Sequence, residues 1–453
     1  MPYATVNPAT GQTEKTFTSH SEAEVDDLLE RAIDAFANFR RTTMAERSRH
    51  LITVAELMEG EGPDIARVLT TEMGKTFAQA RGEVAKCAMG LRWFAQHAPA
   101  LLADQDIETS ATRSYVTYQP IGPVLAIMPW NFPLWQVVRF AAPALMVGNV
   151  GLLKHASNVP QTALLLEDLF RRAGLPEGVF TNLFVETADI GRVIADPRVA
   201  AVTLTGSERA GMAVAAQAGE ALKKSVLELG GSDPFVVLAS ADMESTVRTA
   251  VNARVQNNGQ SCIAAKRFIV VDSVADEFLE RFTAGMDALV VGDPFDPATD
   301  VGPIVTQSQR DELVAQVQEA RRQGAIVHSR PPIEGPGWYF PPTVLSGVTQ
   351  GMAVAQEELF GPVAIVERVP DLTAAIAVAN ATTFGLGSSV WSHDEAEIQR
   401  CIEEIEAGAV FVNAMVASTP ELPFGGIKRS GFGRELSELG IKEFTNAKTV
   451  WIT

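Results

Sequence analysis

The spacing of hydrophobic and polar positions changes along the chain. Across residues 22–103, apolar positions recur with helical spacing in long segments rich in Ala, Glu and Arg. An alternating stretch at 114–118 predicts a β-strand. Short apolar runs then alternate with helical segments; these runs lie at 124–128, 150–153, 201–204 and 226–227. Strand–helix alternation at this spacing predicts a parallel, doubly wound sheet.

A second α/β region runs from about 231 to 430, with predicted strands at 268–271 and 409–412. The tail, 444–453, ends in an apolar phrase that predicts one more strand. Because that strand has no partner nearby in sequence, we expect it to pair with another subunit. A chain of 453 residues is too long for one hydrophobic core, so two or three domains are expected.

The composition narrows the class of protein. Hydrophobic residues make up 46% and charged residues 20%, as in soluble globular proteins. The net charge of −18 argues against a nucleic-acid surface or an anionic membrane as partner. Three cysteines are too few for a disulfide framework, and no apolar run reaches the length of about 18 residues that a membrane span needs. Without a signal-peptide pattern at the N-terminus, we expect a cytoplasmic protein.

Three short phrases carry candidate chemistry: Gly-Gln-Ser-Cys262, Leu-Glu228-Leu-Gly-Gly and Pro-Trp-Asn131-Phe-Pro. A lone cysteine is more often a small buried hydrophobe, which suits Cys87 and Cys401. Cys262 instead has polar and glycine neighbours, so its sulfur can be offered to a substrate. A strand-end glutamate is more often a solvated charge than a general base. An asparagine before a helix is as often a turn former as an oxyanion donor.

These three phrases, in this order, resemble the aldehyde dehydrogenase superfamily, and the likeness extends over nearly the whole chain. It is strongest to the short bacterial succinate-semialdehyde dehydrogenases. The resemblance implies that Cys262 attacks the aldehyde, forming a thiohemiacetal and then a thioester. Glu228 would activate the water that hydrolyses the thioester, and Asn131 would stabilise the oxyanion with the backbone N–H of Cys262. Relatives that pass the acyl group to coenzyme A typically lack this glutamate, so release of a free acid is favoured.

The implied reaction is oxidation of succinate semialdehyde to succinate with reduction of NADP. The alternative within the class is a broad-specificity NAD(P)-dependent oxidiser of other short aldehydes. Outside it, a cysteine hydrolase would need a histidine base, and none of the six histidines has an evident role beside Cys262. A catalytically silent relative would be expected to lack Cys262, Glu228 or Asn131, and all three are present.

The family fold implies two doubly wound α/β domains and a small β oligomerisation domain. Residues 1–105 and 121–230 would form the cofactor-binding domain, and 231–430 the catalytic domain. The segments 106–120 and 431–453 would bridge subunits of a homodimer or homotetramer. The expected partner is a small aldehyde carrying a carboxylate, with no nucleic acid, membrane or metal.

The cofactor site is predicted from several phrases. A glycine-containing turn follows the strand at 201–204 and opens a helix, where backbone N–H groups can receive a phosphate. Relatives commonly have a glutamate at the position of Ser157, and it binds both adenosine-ribose hydroxyls of NAD. Serine there removes a charge that would repel a 2′-phosphate, and Lys154 can pair with that phosphate. NADP is therefore favoured, with NAD as a weaker second. The predicted cofactor residues are Trp130, Lys154, Ser157, Gly206, Ser207, Gly211, Leu229, Glu358 and Phe360.

Arg139 is the main sequence signal for the substrate, because it is the one charged residue between Trp130 and Lys154. Buried without a partner, its guanidinium would be costly. Its partner is either a carboxylate elsewhere in the protein or the carboxylate of the substrate. The resemblance supports the second alternative and adds Ser418, while Trp135 lies one turn earlier and Ser261 precedes the cysteine. One departure is Gln256, where some relatives have a second arginine.

Overall fold

The computed structural model describes residues 3–453. Helices fill the N-terminal region in which the hydrophobic pattern predicts them: Glu22–Phe39, Met44–Gly60, Gly62–Met73 and Phe77–Leu101. The first two begin with capping boxes, in which Ser21 and Thr43 each exchange hydrogen bonds with a glutamate three residues later. The first helix packs on the sheet that follows, and the long fourth helix packs against the helix Trp135–Val147.

The first large sheet has six strands. Their spatial order is Gly431–Phe432, Lys224–Glu228, Ala201–Thr205, Pro123–Met128, Val150–His155 and Phe180–Asn182. All neighbours run parallel except the first pair. The helices that connect these strands are Trp135–Val147, Pro160–Arg172, Ile190–Ala195 and Glu208–Glu220. The predicted doubly wound α/β arrangement of this half is confirmed.

The second large sheet has seven strands. Their spatial order is Ile326–Ser329, Thr343–Ser346, Val363–Val369, Arg267–Val271, Pro234–Val237, Ser388–Trp391 and Val410–Val412. Only the first pair is antiparallel. The helices of this half are Met243–Val255, Asp272–Ala288, Gln307–Arg322, Leu372–Asn380 and Glu395–Glu404. Successive residues of the interior strand Pro234–Val237 pack into different cores: Phe235 belongs to one hydrophobic core and Val236 to another. Both faces of the sheet are therefore buried.

Two small antiparallel sheets complete the fold. Tyr3–Asn7 pairs with Gln12–Phe17, and a three-stranded sheet joins Gln105–Asp106, Arg113–Pro120 and Thr445–Ile452. The tail strand therefore pairs with its own chain, which corrects the expectation that its partner is another subunit. Its outer edge stays open in the sheet order.

The predicted bridging segment 431–453 is divided in the structure. Gly431–Phe432 joins the first large sheet beside Lys224–Glu228. A side chain at Gly431, whose φ is +116°, would stand 1.9 Å from the backbone oxygen of Leu227, so the close pairing requires glycine. A short helix, Ser437–Glu443, then leads to the tail strand. The domain boundaries otherwise stay a prediction. Within residues 3–453, no helix is long and apolar enough to cross a bilayer.

Candidate active site

A cavity of about 880 Å³ opens at the carboxyl ends of the strands of the first large sheet. Ligand sites of doubly wound sheets are expected at this edge. Predicted site residues from distant parts of the sequence line this cavity together: Trp130, Asn131, Gly206, Ser207, Leu229, Cys262, Glu358 and Phe360. The structure therefore places the candidate nucleophile at the same cavity as most of the predicted cofactor residues.

Cys262 lies in a tightly held loop. The buried ammonium of Lys266 donates to the backbone oxygens of Ser261 at 2.9 Å and of Cys262 at 2.7 Å. Just upstream, Asn257 and Asn258 have φ values of +56° and +57°, a left-handed conformation that asparagine tolerates better than most residues. The thiol is half-buried, and burial raises its pKa to about 12, opposed by the charges of nearby cations.

Asn131 is fixed beside this loop. Its side-chain Nδ2 donates to the backbone oxygen of Gln260 at 3.2 Å. Its own backbone oxygen accepts from Lys75 Nζ at 3.0 Å and from Asn257 Nδ2 at 2.7 Å. Lys75 also forms a buried ion pair with Glu83, and Glu83 accepts from two backbone N–H groups at the start of the helix Trp135–Val147. The amide of Asn131 is thus held next to the backbone of the cysteine loop.

Glu228 ends its strand in the protein interior, not at a solvated edge. It is 2% exposed, and neither carboxylate oxygen has a hydrogen-bond partner within residues 3–453. Burial, and after it the neighbouring Glu435, raise the pKa of Glu228 well above the ordinary range. Gly425 makes room for it, because a side chain there would stand 2.7 Å from Glu228 Oε1. A buried carboxyl without a hydrogen-bond partner and with a raised pKa is a candidate for a group that takes up and releases a proton.

The nicotinamide-ribose candidate, Glu358, is positioned from two sides. Lys266 Nζ lies 3.0 Å from Glu358 Oε1, and the backbone N–H of Gly231 donates to the same oxygen at 3.2 Å. Phe360 meets Trp130 edge to face, with 5.6 Å between ring centroids. Lys266 therefore links the cysteine loop to this part of the cavity, a connection that the sequence analysis missed.

The other cofactor candidates have varied positions. Ser207 caps the helix Glu208–Glu220, accepting from the backbone N–H of Ala210 at 3.4 Å. Gly211 packs under Leu229, and a side chain there would stand 2.6 Å from it. Lys154 and Ser157 lie at and just after the end of Val150–His155, outside the lining of the cavity, and both are half-buried. Burial lowers the pKa of Lys154. Their contacts with a cofactor stay predictions.

Arg139 has a carboxylate partner inside the protein. Its guanidinium forms an ion pair with Glu435, and the two side chains are 2% and 5% exposed. Its Nη2 lies 3.4 Å from Thr205 Oγ1, and the guanidinium lies 4.5 Å from the centroid of the Phe424 ring. Arg139 thus has the internal carboxylate partner of the first alternative, and a contact with the substrate stays a prediction.

Trp135 and Ser418 meet, as a shared substrate role would require. Trp135 Nε1 donates to Ser418 Oγ at 2.9 Å. Lys86, on the helix Phe77–Leu101, donates to the same oxygen at 2.9 Å and lies 4.5 Å from the centroid of the Trp135 ring. Ser261 is fully buried, and its hydroxyl has no hydrogen-bond partner within the described residues. Lys86 has no distinguishing signal in the sequence, because one lysine in a long helix resembles a solvated charge.

Comparison with known proteins identifies the chain. Residues 1–450 match the model of the aldehyde dehydrogenase family. The chain belongs to that family. The predicted resemblance and the predicted fold class are therefore confirmed. Among described residues of this aldehyde dehydrogenase, no group of three or more His, Cys, Asp or Glu side chains could hold a metal ion.

Relatives match over the full length. A succinate-semialdehyde dehydrogenase [NADP(+)] of Mycobacterium avium is 58% identical over 457 residues, covering 100% of this chain and 97% of the relative. One from Mycobacterium tuberculosis H37Rv is 55% identical over 456 residues, covering 100% of both chains. The crystal structure of succinic semialdehyde dehydrogenase from Streptococcus pyogenes in complex with NADP+ superposes with a TM-score of 0.97, at 38% identity and 99% coverage of both chains.

Proposed function

We propose that this aldehyde dehydrogenase oxidises succinate semialdehyde to succinate and reduces NADP. The observation that carries the proposal is the placement of Cys262 and Asn131 at one cavity with Glu358 and Phe360. The substrate and cofactor named for relatives at 55–58% identity over the whole chain support the choice of aldehyde and of NADP.

The reaction begins at Cys262. Its thiolate attacks the aldehyde carbon, and the Asn131 amide and the Cys262 backbone N–H stabilise the oxyanion of the thiohemiacetal. NADP would supply the hydride acceptor, and Glu358, Trp130 and Phe360 are the residues that would hold its nicotinamide half. Loss of hydride leaves a thioester on Cys262. Hydrolysis then releases succinate and restores the thiol.

Glu228 serves as the base in the hydrolytic step. It takes a proton from the water that attacks the thioester carbon, and the thiolate leaves. The raised pKa of Glu228 suits this role, because a carboxylate is a stronger base when the pKa of its acid is higher. The charge of Arg139 lowers the pKa of both Glu228 and Cys262, opposing the rise that burial causes in each.

NADP preference is assigned to Lys154 and Ser157. Lys154 forms no ion pair with a described residue, and burial is the one cause that shifts its pKa, so a phosphate can be its partner. Ser157 leaves this position uncharged. NAD, whose ribose lacks the 2′-phosphate, is the weaker second cofactor.

A second candidate function is oxidation of short aldehydes without regard to charge. It is favoured by the ion pair of Arg139 with Glu435, which engages the one cation that the sequence offered for a substrate carboxylate. Initial rates with succinate semialdehyde, butyraldehyde and acetaldehyde, each with NADP and NAD, separate the two functions. We expect the highest kcat/KM with succinate semialdehyde and NADP. Equal efficiency for the charged and uncharged aldehydes would support the second candidate.

We also propose that the protein is a homo-oligomer of the cytoplasm. The open edge of the tail strand carries Trp451 and Ile452, which are 53% and 45% exposed, so this edge is a candidate contact in a homodimer or homotetramer. Light scattering on the purified protein measures the number of subunits. The sparse cysteines, none in a disulfide within residues 3–453, are consistent with the cytoplasm.

A further inference from the structure

Lys86 differs from three other enclosed cations, each of which has a carboxylate partner. Lys75 pairs with Glu83, Lys266 with Glu358, and Arg139 with Glu435. Within residues 3–453, the ammonium of Lys86 forms no ion pair; its close contacts are a hydroxyl and an indole ring. A partly enclosed ammonium without an anion has lost hydration that no charge replaces. A small anion that enters beside it would therefore be bound favourably.

Ser418 supplies the second half of an anion site. Its hydroxyl oxygen already accepts from Lys86 Nζ and from Trp135 Nε1, each at 2.9 Å. A hydroxyl has two acceptor lone pairs and one O–H donor, so these two contacts leave its hydrogen available. No described residue receives that hydrogen. The site thus presents an ammonium and an O–H donor, which together match the two oxygens of a carboxylate.

The site lies within electrostatic range of the reacting thiol. Burial, and after it the charge of Arg139, lowers the pKa of Lys86 to about 8, while Cys87, Glu83 and Cys262 act in the opposite direction. Lys86, Ser418 and Trp135 come from three separate segments of the chain that meet at the Ser418 hydroxyl, and none of the three is among the residues that line the cavity of the cofactor candidates. A short dicarboxylic semialdehyde has its two functional ends separated by only a few atoms.

We propose that Lys86 is a specificity-determining residue that, with the hydroxyl of Ser418, binds the far carboxylate of the semialdehyde. Arg139 then acts through its ion pair with Glu435 as a positioning residue behind this site. The inference rests on the proposed function, since it needs a substrate that carries a carboxylate. The carboxylate contact, for which the family resemblance favoured Arg139, is thereby given to a lysine that neither the family motifs nor the hydrophobic pattern singled out.

The test compares Lys86→Met, which keeps the length of the side chain without its charge, with Lys86→Arg and the wild-type enzyme. Arg81→Met is the matched control, because Arg81 is an exposed cation on the same helix. The kcat/KM for succinate semialdehyde is measured against that for butyraldehyde, with saturating NADP. We expect Lys86→Met to lower the ratio of the two efficiencies by about 10- to 150-fold, mainly through KM. Lys86→Arg should retain most of the ratio, and Arg81→Met all of it.

Inhibition by succinate gives a second readout that does not depend on turnover of an aldehyde. Lys86→Met and Ser418→Ala should both weaken it, whereas inhibition by uncharged succinamide should be no stronger in the wild type than in either variant. An unchanged ratio in Lys86→Met, or a selective loss in Arg139→Met instead, would overturn the assignment of Lys86. A wild-type enzyme that does not prefer succinate semialdehyde over butyraldehyde would contradict the proposed function itself. That result is distinct from the results that would contradict only the role of Lys86.

Discussion

Replacing Arg139 by Met is predicted to destabilise the protein to an extent that depends on pH. Arg139 is 2% exposed and is paired with Glu435, which is 5% exposed, and Glu228 lies beside them at 2%. The pKa of both carboxyls is raised, first by burial, and Arg139 opposes that rise. In the variant both carboxyls stay buried, but they lose Arg139, the cation that most strongly compensates their charge.

The magnitude follows from the proton that the variant must bind. In the wild type, we take Arg139 to keep one of these two carboxyls ionised. In the folded variant, that carboxyl binds a proton instead. From the ordinary pKa of 4.5, binding a proton at pH 7.0 spans 2.5 pH units at about 1.36 kcal/mol each, or about 3.4 kcal/mol. At pH 5.0 the same reasoning gives about 0.7 kcal/mol. The larger value agrees with the cost of about 3–5 kcal/mol for breaking a buried ion pair.

The stability of the variant changes with pH in the direction expected for a carboxyl whose pKa is higher in the folded than in the unfolded protein. Its contribution to stability is fully present below the unfolded pKa, near 4.5, and is lost as the pH rises toward the folded pKa. Arg139→Met should therefore approach wild-type stability near pH 5 and fall furthest below it at neutral pH. The double variant Arg139→Met/Glu435→Gln removes the charge with the cation and should recover much of the loss at pH 7.0.

Urea unfolding of the three proteins at pH 5.0 and 7.0 measures these differences from the midpoints and slopes. A loss of the same size at both pH values, or no rescue by Glu435→Gln, would refute the assignment of Arg139 to an internal ion pair.

Three further predictions concern the reaction. Cys262→Ala should abolish turnover while NADP still binds, which a fluorescence titration checks; residual turnover above a few per cent would exclude Cys262 as the nucleophile. Ser157→Glu should shift relative preference from NADP toward NAD by about ten- to a hundred-fold, or about 1.4–2.8 kcal/mol, measured as a ratio of kcat/KM values; no shift would mean that this position does not select the phosphate. The ratio of kcat/KM for succinate semialdehyde over butyraldehyde should fall as the pH rises through about 8, because Lys86 then loses its proton. The ratio cancels the ionisation of Cys262, and a flat profile would contradict a role for Lys86.

The large sheets were predictable because each of their main strands is an apolar run between helical segments. The run at 124–128 lies within the strand Pro123–Met128, and that at 268–271 lies within Arg267–Val271. The edge strand Gly431–Phe432 was not predictable, since two residues carry no periodicity and its pairing depends on a close approach at Gly431. The partner of the tail strand was also missed, because Arg113–Pro120 lies more than 300 residues earlier.

The candidate site likewise contains residues that the sequence could predict and residues that it could not. Cys262, Glu228 and Asn131 stand in short phrases that local sequence can identify. The groups that position them are single charges whose partners are set by tertiary contact: Lys75 with Glu83, and Lys266 with the cysteine loop. Arg139 was correctly recognised as an enclosed cation, but its partner Glu435 is far away in the sequence. Lys86 had no distinguishing signal, because its isolation appears only once Trp135 and Ser418 are placed around it.

The central claim is that Cys262 takes up the acyl group of succinate semialdehyde and that Glu228 is needed to release it. The most direct measurement is the intact mass of Glu228→Gln after mixing with succinate semialdehyde and NADP. We predict one succinyl group per chain, located on Cys262 by peptide mapping, together with one equivalent of reduced cofactor and little further turnover. Absence of the adduct, its presence on another residue, or continued turnover at the wild-type rate would contradict the account.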